Sequence, residues 1–159
     1  MQLLTIGYEG FTPSSMIDVL NRAEAQTVVD VRELPLSRKK GFSKNSLRDN
    51  LVQNGMEYFH IRNLGCPRDI RHDYRDDRDW PRYTVRFLEY LSTQDESMAL
   101  LEKMVKKQRC CLLCYEADFE TCHRSFIADR LRKLWIPTLE IKHLTAIQID
   151  SSALAQMPL

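Results

Sequence analysis

The chain has 159 residues, of which 43% are hydrophobic, and this is enough for one domain with a sizeable core. Charged residues make up 28%, and 23 basic against 22 acidic residues leave a formal net charge of +1. This balance excludes a disordered acidic chain and a nucleic-acid binder that works by bulk charge. A local basic patch is still compatible with it, because net charge does not describe distribution.

The cellular setting is predicted from segments and cysteines. No stretch is long and apolar enough to span a bilayer, and the N-terminus lacks the charged region of a signal peptide. The five cysteines are an odd number, and Cys110, Cys111 and Cys114 crowd one apolar run, unlike a disulfide scaffold. We therefore expect a cytoplasmic protein with reduced thiols, no disulfide and no membrane association.

The first half of the chain predicts strands and helices in alternation. Thr12 is a suitable N-cap and Pro13 a suitable first residue for the first helix. Ser43 can cap the second helix, and Gly55 can end it. Apolar, β-branched runs predict strands at residues 3–7, 27–31 and 58–61.

The second half begins with residues 63–81, the longest region without clear periodicity, which predicts a functional or mobile loop. Helices are expected from Pro81 onward, over residues 97–107 and over residues 122–134, with strands at residues 110–114 and 139–144. Residues 146–159 are interpreted as a loosely attached C-terminal tail.

This alternation predicts the fold class. It is typical of a three-layer, Rossmann-like α/β domain with a mainly parallel five-stranded sheet flanked by helices, here over residues 1–145. Ligands of open parallel sheets bind outside the carboxyl ends of the strands, so the polar residues that follow each strand are the candidate site. The predicted catalytic residues are Tyr8, Glu9, Glu116, Cys122 and His123. The predicted anion-binding residues are Asp30, Arg32, Ser37, Arg38, Gly65 and Arg124.

The segment around the predicted helix start at Cys122 is the densest in functional groups. Free backbone N–H groups and the helix dipole favour an anion there, and Arg124 could bind phosphate or carboxylate through two hydrogen bonds. Cys122 is either a neutral neighbour of the cap or a thiol with a lowered pKa. Cys114 is interpreted as a small hydrophobe that ends a strand.

A metal site is a further possibility for the segment around Cys122. Cys114, Cys122 and His123 could be ligands, with Glu116, Cys66 or His143 as the fourth. Zinc ligands usually come as close pairs two to four residues apart, whereas Cys122 follows Cys114 by eight positions in this chain. The spacing therefore predicts no metal, no cofactor and no stoichiometric zinc.

Two further segments have alternative interpretations. Arg32 directly follows a buried strand, which favours an anion site, although Asp30 could hold it in a structural ion pair. Residues 68–86 contain six arginines and five interleaved aspartates with three aromatic residues that could stack on bases. The aspartates cancel most of that charge and favour a salt-bridged lid over a phosphate-binding surface.

Several motifs resemble those of the domain-of-unknown-function 488 family. The resemblance runs in order from about Thr5 to His143 through the motifs Thr5-Ile6-Gly7-Tyr8-Glu9-Gly10, Asp30-Val31-Arg32-Glu33-Leu34-Pro35-Leu36-Ser37-Arg38, Leu64-Gly65, Leu113-Cys114-Tyr115-Glu116 and Cys122-His123-Arg124. It implies the family's α/β fold and the site residues above, and it supplies no reaction. Cys66 stands where the family pattern more often has a second glycine, which brings a thiol near the site.

A fainter resemblance is to rhodanese and cysteine-phosphatase domains, which share an Asp-Val-Arg strand and a later strand leading to Cys, a loop, Arg and a helix. Their Cys-to-Arg loop is tight and surrounds an anion. Nine residues separate Cys114 from Arg124 here, too many for the same loop.

The residues favour an enzyme acting on a phosphorylated or nucleotide-like substrate. Arg32, Arg38 and Arg124 would hold the anion. Glu9 or Glu116 would be the acid or base, and Tyr8 would orient it. The alternatives are a nucleic-acid binding or processing module and a cysteine-dependent enzyme of sulfur or phosphoryl transfer. The expected partner is a small anionic or nucleotide-like ligand, with nucleic acid as a further possibility.

Overall fold

The structure is a computed structural model, and it describes residues 1–146. It contains a five-stranded, all-parallel sheet in the order β3-β2-β4-β1-β5. The strands are β1 (Gln2–Gly7), β2 (Thr27–Asp30), β3 (Glu57–His60), β4 (Cys110–Cys114) and β5 (Glu140–Leu144). The predicted α/β class with a parallel sheet is therefore confirmed. The predicted tail, residues 146–159, lies outside the described residues apart from Ala146.

Six helices flank the sheet. They are α1 (Pro13–Arg22), α2 (Lys44–Gln53), α3 (Arg68–Asp77), α4 (Trp80–Leu91), α5 (Asp95–Lys107) and α6 (His123–Leu134). Thr12 caps α1 through a capping box with Ser15, as its hydroxyl and the following proline predict. Ser43 occupies the cap position of α2, but its hydroxyl bonds Ser37 instead of the helix. Gly55 follows α2 with a φ of +79°, the left-handed conformation that ends helices.

The helices cover both faces of the sheet. One core contains the buried residues of α1 and α2 together with Leu4, Ile6 and Leu113 of the sheet. The other contains those of α3 to α6 together with Leu3 and Leu112. Successive strand residues point to opposite faces, so the apolar runs of β1, β2 and β4 supply both cores.

The prediction of a loop over residues 63–81 is wrong. Arg68–Asp77 forms α3, and α4 begins at Trp80, one residue before Pro81. Helix α3 was not predicted from the sequence because Ile70 is its only buried residue and most of its ten residues are charged. Ion pairs to α4 stabilise it instead of an apolar stripe: Arg86 reaches Asp69 and Asp73, and Arg82 reaches Asp73 and Asp77.

No helix among residues 1–146 is long and apolar enough to cross a membrane.

Candidate functional site

The strand order creates a crevice between the carboxyl ends of β2 and β4. The chain leaves β1 and β2 toward one edge of the sheet, and it leaves β3 and β4 toward the other. Such a reversal separates the connecting loops and leaves a ligand-sized gap above the strand ends. A cleft of about 900 Å³ lies there, lined by residues that follow β1, β2 and β4 and by residues of α3 and α4.

Asp30 and Arg32 form a buried ion pair at the end of β2. The Arg32 Nε and Nη2 atoms donate to the two carboxylate oxygens of Asp30 at 2.9 and 2.7 Å. Arg32 Nη1 donates to the Phe42 carbonyl oxygen and the Tyr8 hydroxyl, and Tyr58 donates to Asp30. Most donors of Arg32 therefore have partners within the protein, although the residue still borders the cleft. The structural ion pair is the interpretation that this geometry favours.

Four groups that can share protons or bind metals meet at the cleft floor. Glu116 Oε2 accepts from the Cys114 thiol at 3.2 Å and from the Cys122 thiol at 3.3 Å. His123 Nδ1 lies 3.6 Å from the Cys114 sulfur and 3.9 Å from the Cys122 sulfur. We call Cys114, Glu116, Cys122 and His123 the floor cluster.

The orientation of His123 follows from its second ring nitrogen. Nε2 lies 2.8 Å from the Val31 carbonyl oxygen, which can only accept, so Nε2 carries a proton. The ring also packs edge-on against Phe87. Nδ1 is consequently held toward the two sulfurs, as in sites where a backbone carbonyl orients a ligating or basic histidine.

Burial and the neighbouring groups shift the pKa values in the floor cluster. Burial raises the pKa of Glu116, and the adjacent Cys122 sulfur raises it further. Burial opposes ionisation of Cys122, but hydrogen bonds from Cys114 and His123 outweigh it and lower the pKa of Cys122 well below its ordinary value. The hydrogen bond between Cys114 and Cys122, together with burial, raises the pKa of Cys114. Burial opposes protonation of His123, yet the Cys122 sulfur raises the pKa of the imidazole overall. These shifts favour the thiolate form of Cys122, the residue that precedes α6, and the protonated form of the His123 imidazole.

Arg124 lies behind the cleft instead of within it. It is fully buried, and its guanidinium donates to the Thr5 hydroxyl and to the carbonyl oxygens of Glu116 and Ala117. The predicted anion-binding role of Arg124 is therefore corrected, because its donors hold the loop that follows β4. Arg124 donates to the backbone carbonyl of Glu116 and not to its carboxylate, so the contact is not an ion pair.

Two glycines allow loops to approach the strand ends closely. A Cβ at Gly7 would lie 1.7 Å from the Glu116 carbonyl oxygen, so only glycine lets that loop cross the end of β1. A Cβ at Gly65 would lie 2.1 Å from the Glu33 backbone nitrogen. Gly65 is not among the residues that line the cleft, so its role is this close approach and the predicted anion contact is corrected.

The cleft walls combine cations with apolar surface. Arg38 and Arg75 are exposed, and neither has a hydrogen-bond or ion-pair partner within residues 1–146. Leu34, Leu36 and Tyr115 also line the cleft, with 55%, 68% and 46% of their surfaces exposed. Arg78, a further cation, lies over the Tyr74 ring. Positive charge beside exposed apolar side chains suits a ligand with an anionic group and a flat apolar part.

The structure brings most of the predicted site residues to this cleft. Those that line it are Tyr8, Glu9, Arg32, Ser37, Arg38, Glu116 and His123. Glu9 accepts a hydrogen bond from the Ala117 backbone N–H, and Tyr8 is stacked on Phe42. Cys122 is buried in the floor cluster, and Asp30, Gly65 and Arg124 support the cleft from behind.

The sequence analysis left Cys114 out of the predicted site and did not predict one wall of the cleft. For Cys114 the packing interpretation was preferred to a ligand role, because the residue ends an apolar strand and its spacing to Cys122 is unlike that of zinc sites. The wall formed by Tyr74, Arg75 and Trp80 was missed because α3 was not predicted. The dense mixture of aromatic residues and arginines in that segment was the available signal.

The fold and the cleft define an open parallel α/β protein with its candidate site at the reversal of strand order. The chain belongs to the family described as Domain of unknown function DUF488, whose model matches residues 12–131. No curated protein and no solved structure matches the chain.

Proposed function

We propose that the chain is an enzyme that binds a phosphorylated or nucleotide-like substrate in the cleft between the ends of β2 and β4. The observation that carries the proposal is the cleft itself, which joins free cations, exposed apolar side chains and a buried proton-sharing cluster. Arg38 and Arg75 would bind the anionic group, and Tyr115 would contact a flat base. Because these cations have no carboxylate partner among residues 1–146, a bound anion would not have to displace a carboxylate from them.

Glu116 is the favoured acid or base. It lines the cleft floor, and burial raises its pKa toward the range in which a carboxyl group both gives and takes protons. Glu9 is the weaker candidate because it is exposed and its Oε2 accepts from the Ala117 backbone N–H. Tyr8 would act indirectly, through its hydroxyl contact with Arg32.

The binding half of the proposal is tested with adenosine monophosphate, measured by calorimetry at low ionic strength. Arg38→Gln should weaken binding by about 10- to 100-fold, the usual worth of a charged hydrogen bond. Lys40→Gln is the matched control, because Lys40 lies in the same loop but does not line the cleft. Equal weakening by both variants, or no binding of the wild type, would contradict an anion site in the cleft.

The catalytic half is tested by incubating the protein with a panel of nucleoside monophosphates and sugar phosphates. Consumption of one compound, followed by chromatography, should fall by about 100-fold or more in Glu116→Gln if Glu116 transfers a proton. Retained binding in that variant separates the loss of catalysis from the loss of the cleft. A panel that is bound and never consumed would mark the protein as a binding module.

A cysteine-dependent enzyme is the second candidate, because the lowered pKa of Cys122 and the contact with His123 are features of reactive thiols. Cys122 is only 1% exposed, however, and the thiols that line the cleft are those of Cys66 and Cys114. A nucleic-acid module is less favoured. Arg82 and Arg86, which were candidates for phosphate contacts, are paired with aspartates of α3.

A further inference from the structure

The floor cluster has a property that the proposed function does not use. Cys114, Cys122 and His123 are 4%, 1% and 5% exposed, and their three candidate ligand atoms lie within 4.8 Å of one another. The two cysteines are eight positions apart in sequence, and this spacing predicted no metal. In the folded chain this spacing no longer argues against a metal, because the loop after β4 turns back and brings Cys122 beside the end of β4.

The distances can be compared with a zinc tetrahedron. With Zn–S and Zn–N bonds of about 2.3 and 2.0 Å at tetrahedral angles, a sulfur and a nitrogen ligand lie about 3.5 Å apart. The two sulfur-to-Nδ1 distances are 3.6 and 3.9 Å. The two sulfur-to-nitrogen distances therefore exceed the tetrahedral value by about 0.1 and 0.4 Å, and the two sulfurs and Nδ1 all lie within 4.8 Å of one another.

Glu116 lies between this cluster and the cleft that it lines. Its Oε2 lies 3.2 and 3.3 Å from the two sulfurs, where it accepts hydrogen bonds from the thiols. Those hydrogen bonds end when the thiols lose their protons to bind a metal, and Glu116 is then free to hold a water at the fourth position. The Val31 carbonyl oxygen already holds the proton of Nε2, which leaves Nδ1 to ligate.

We propose that Cys114, Cys122 and His123 bind a thiophilic divalent cation of the zinc class, with the fourth position open toward Glu116 and the cleft. Three protein ligands with one open position is the arrangement of catalytic zinc sites, whereas structural sites have four. This site goes beyond the proposed function, because metal binding is measured without any substrate.

The test is a titration of the chelator-treated protein with Co²⁺ and Zn²⁺ in the presence of a phosphine reductant. The wild type should bind one equivalent of Co²⁺ with a thiolate-to-cobalt charge-transfer band and the visible bands of a tetrahedral ion, and Zn²⁺ should remove both. Cys114→Ser, Cys122→Ser and His123→Ala should each weaken binding by at least about 100-fold, because a direct ligand matters more than its supporting groups.

Two controls sharpen the outcome. Cys110→Ser, a buried cysteine at the opposite end of β4, should bind as the wild type does. Glu116→Gln should retain one metal per chain, and its loss there would overturn the open fourth position. Equal affinity of the wild type and Cys122→Ser would overturn the site.

A second measurement does not need folded variants. All five thiols are buried, so their slow alkylation is compared with and without Zn²⁺. Zn²⁺ should slow the alkylation of Cys114 and Cys122 more than that of the other three, as identified by peptide mapping. Protection of no thiol, or of a different pair, would contradict the proposal.

Discussion

Arg124 has a structural role, although the sequence suggests that it binds a ligand. It is the largest of the fully buried side chains, and it donates to three oxygens of β1 and of the loop after β4. A buried guanidinium is tolerated only when its donors are satisfied, and here backbone carbonyls do this. The residue therefore positions the Glu116 loop from behind.

Arg124→Lys should destabilise the protein. An ammonium group cannot reproduce the guanidinium fork, so about two of the three acceptors lose their donor. We expect the free energy of unfolding to fall on the order of 2–4 kcal/mol, from buried acceptors at about 1–3 kcal/mol each. Denaturant unfolding measures this. Arg132→Lys, on the exposed face of α6, is the control and should change stability by less than about 0.5 kcal/mol. An unchanged midpoint for Arg124→Lys would contradict the structural role.

At the scale of elements, the end of β1 is packed closely against the loop that follows β4. The loop after β4 lies against Gly7, and its Tyr115 carbonyl oxygen accepts a hydrogen bond from the Glu9 backbone N–H. Helix α6, strand β1 and strand β5 are joined by a second chain of contacts, from Arg124 through Thr5 to His143. Both features couple the cleft floor to the centre of the sheet.

Gly7→Ala tests the close approach at the end of β1. The added Cβ would overlap the Glu116 carbonyl oxygen, so the loop must move or the strand must bend. We expect a loss of more than about 2 kcal/mol in unfolding free energy, toward the upper part of the range for overpacking. Gly10→Ala is the matched control, because the nearest atom to a Cβ there is 3.9 Å away. Similar stabilities for the two variants would show that the loop yields easily.

His143 gives the Arg124–Thr5–His143 chain a pH dependence. The Thr5 hydroxyl accepts from Arg124, so its own proton points to His143 Nδ1 at 2.6 Å and favours the neutral ring. Burial and the Arg124 charge accordingly lower the pKa of His143. A histidine with a lowered pKa in the folded state binds fewer protons than in the unfolded state. Its contribution to stability is therefore present above pH of about 6.5 and is lost as the pH falls through the lowered value.

The measurement is the free energy of unfolding between pH 8 and pH 5 for the wild type and for His143→Gln. The difference between the two should shrink as the pH falls, because only the wild type loses the neutral imidazole. His72→Gln, at an exposed position on α3, should run parallel to the wild type. A difference between wild type and His143→Gln that grows on acidification would reverse the sign and refute the assignment.

At the scale of the whole molecule, the nearly balanced charge is unevenly distributed. Arg38 and Arg75 lie at the cleft, whereas Arg82 and Arg86 of α4 are paired with aspartates of α3. Only a few cations of the cleft thus remain for an anionic ligand. This favours a small ligand over an extended nucleic acid.

The salt dependence of binding to a single-stranded oligonucleotide separates these two kinds of ligand. If Arg38, Arg75 and Arg78 are the cations in contact, about three phosphates are neutralised, and the logarithm of affinity should fall against log salt with a slope of about −2. Fluorescence anisotropy measures this slope. A slope near about −5 would instead indicate an extended nucleic-acid interface and would favour the alternative function.

Particular elements explain which parts of the fold were predictable. Strands β1, β2 and β4 are short apolar runs, and α1 has a threonine cap followed by proline, so local sequence defines them. Helix α3 was missed because charge pairing with α4 stabilises it, and such pairing depends on an element that comes later in the chain. Its first-turn Asp69 and its aromatic Tyr74 carried no helical periodicity.

The sequence by itself determined that polar residues follow each strand of a parallel sheet, and parallel strands bring those residues to one edge. That was sufficient to predict seven residues that line the cleft. Only the tertiary structure decided which of the charged residues face it. Arg32 and Arg124 turn inward to Asp30 and to backbone carbonyls, whereas Arg38 and Arg75 remain free among residues 1–146. The physical reason is that hydrogen-bond partners and side-chain distances, such as that between Cys114 and His123, depend on loops that return from distant positions. Sequence spacing does not encode that return.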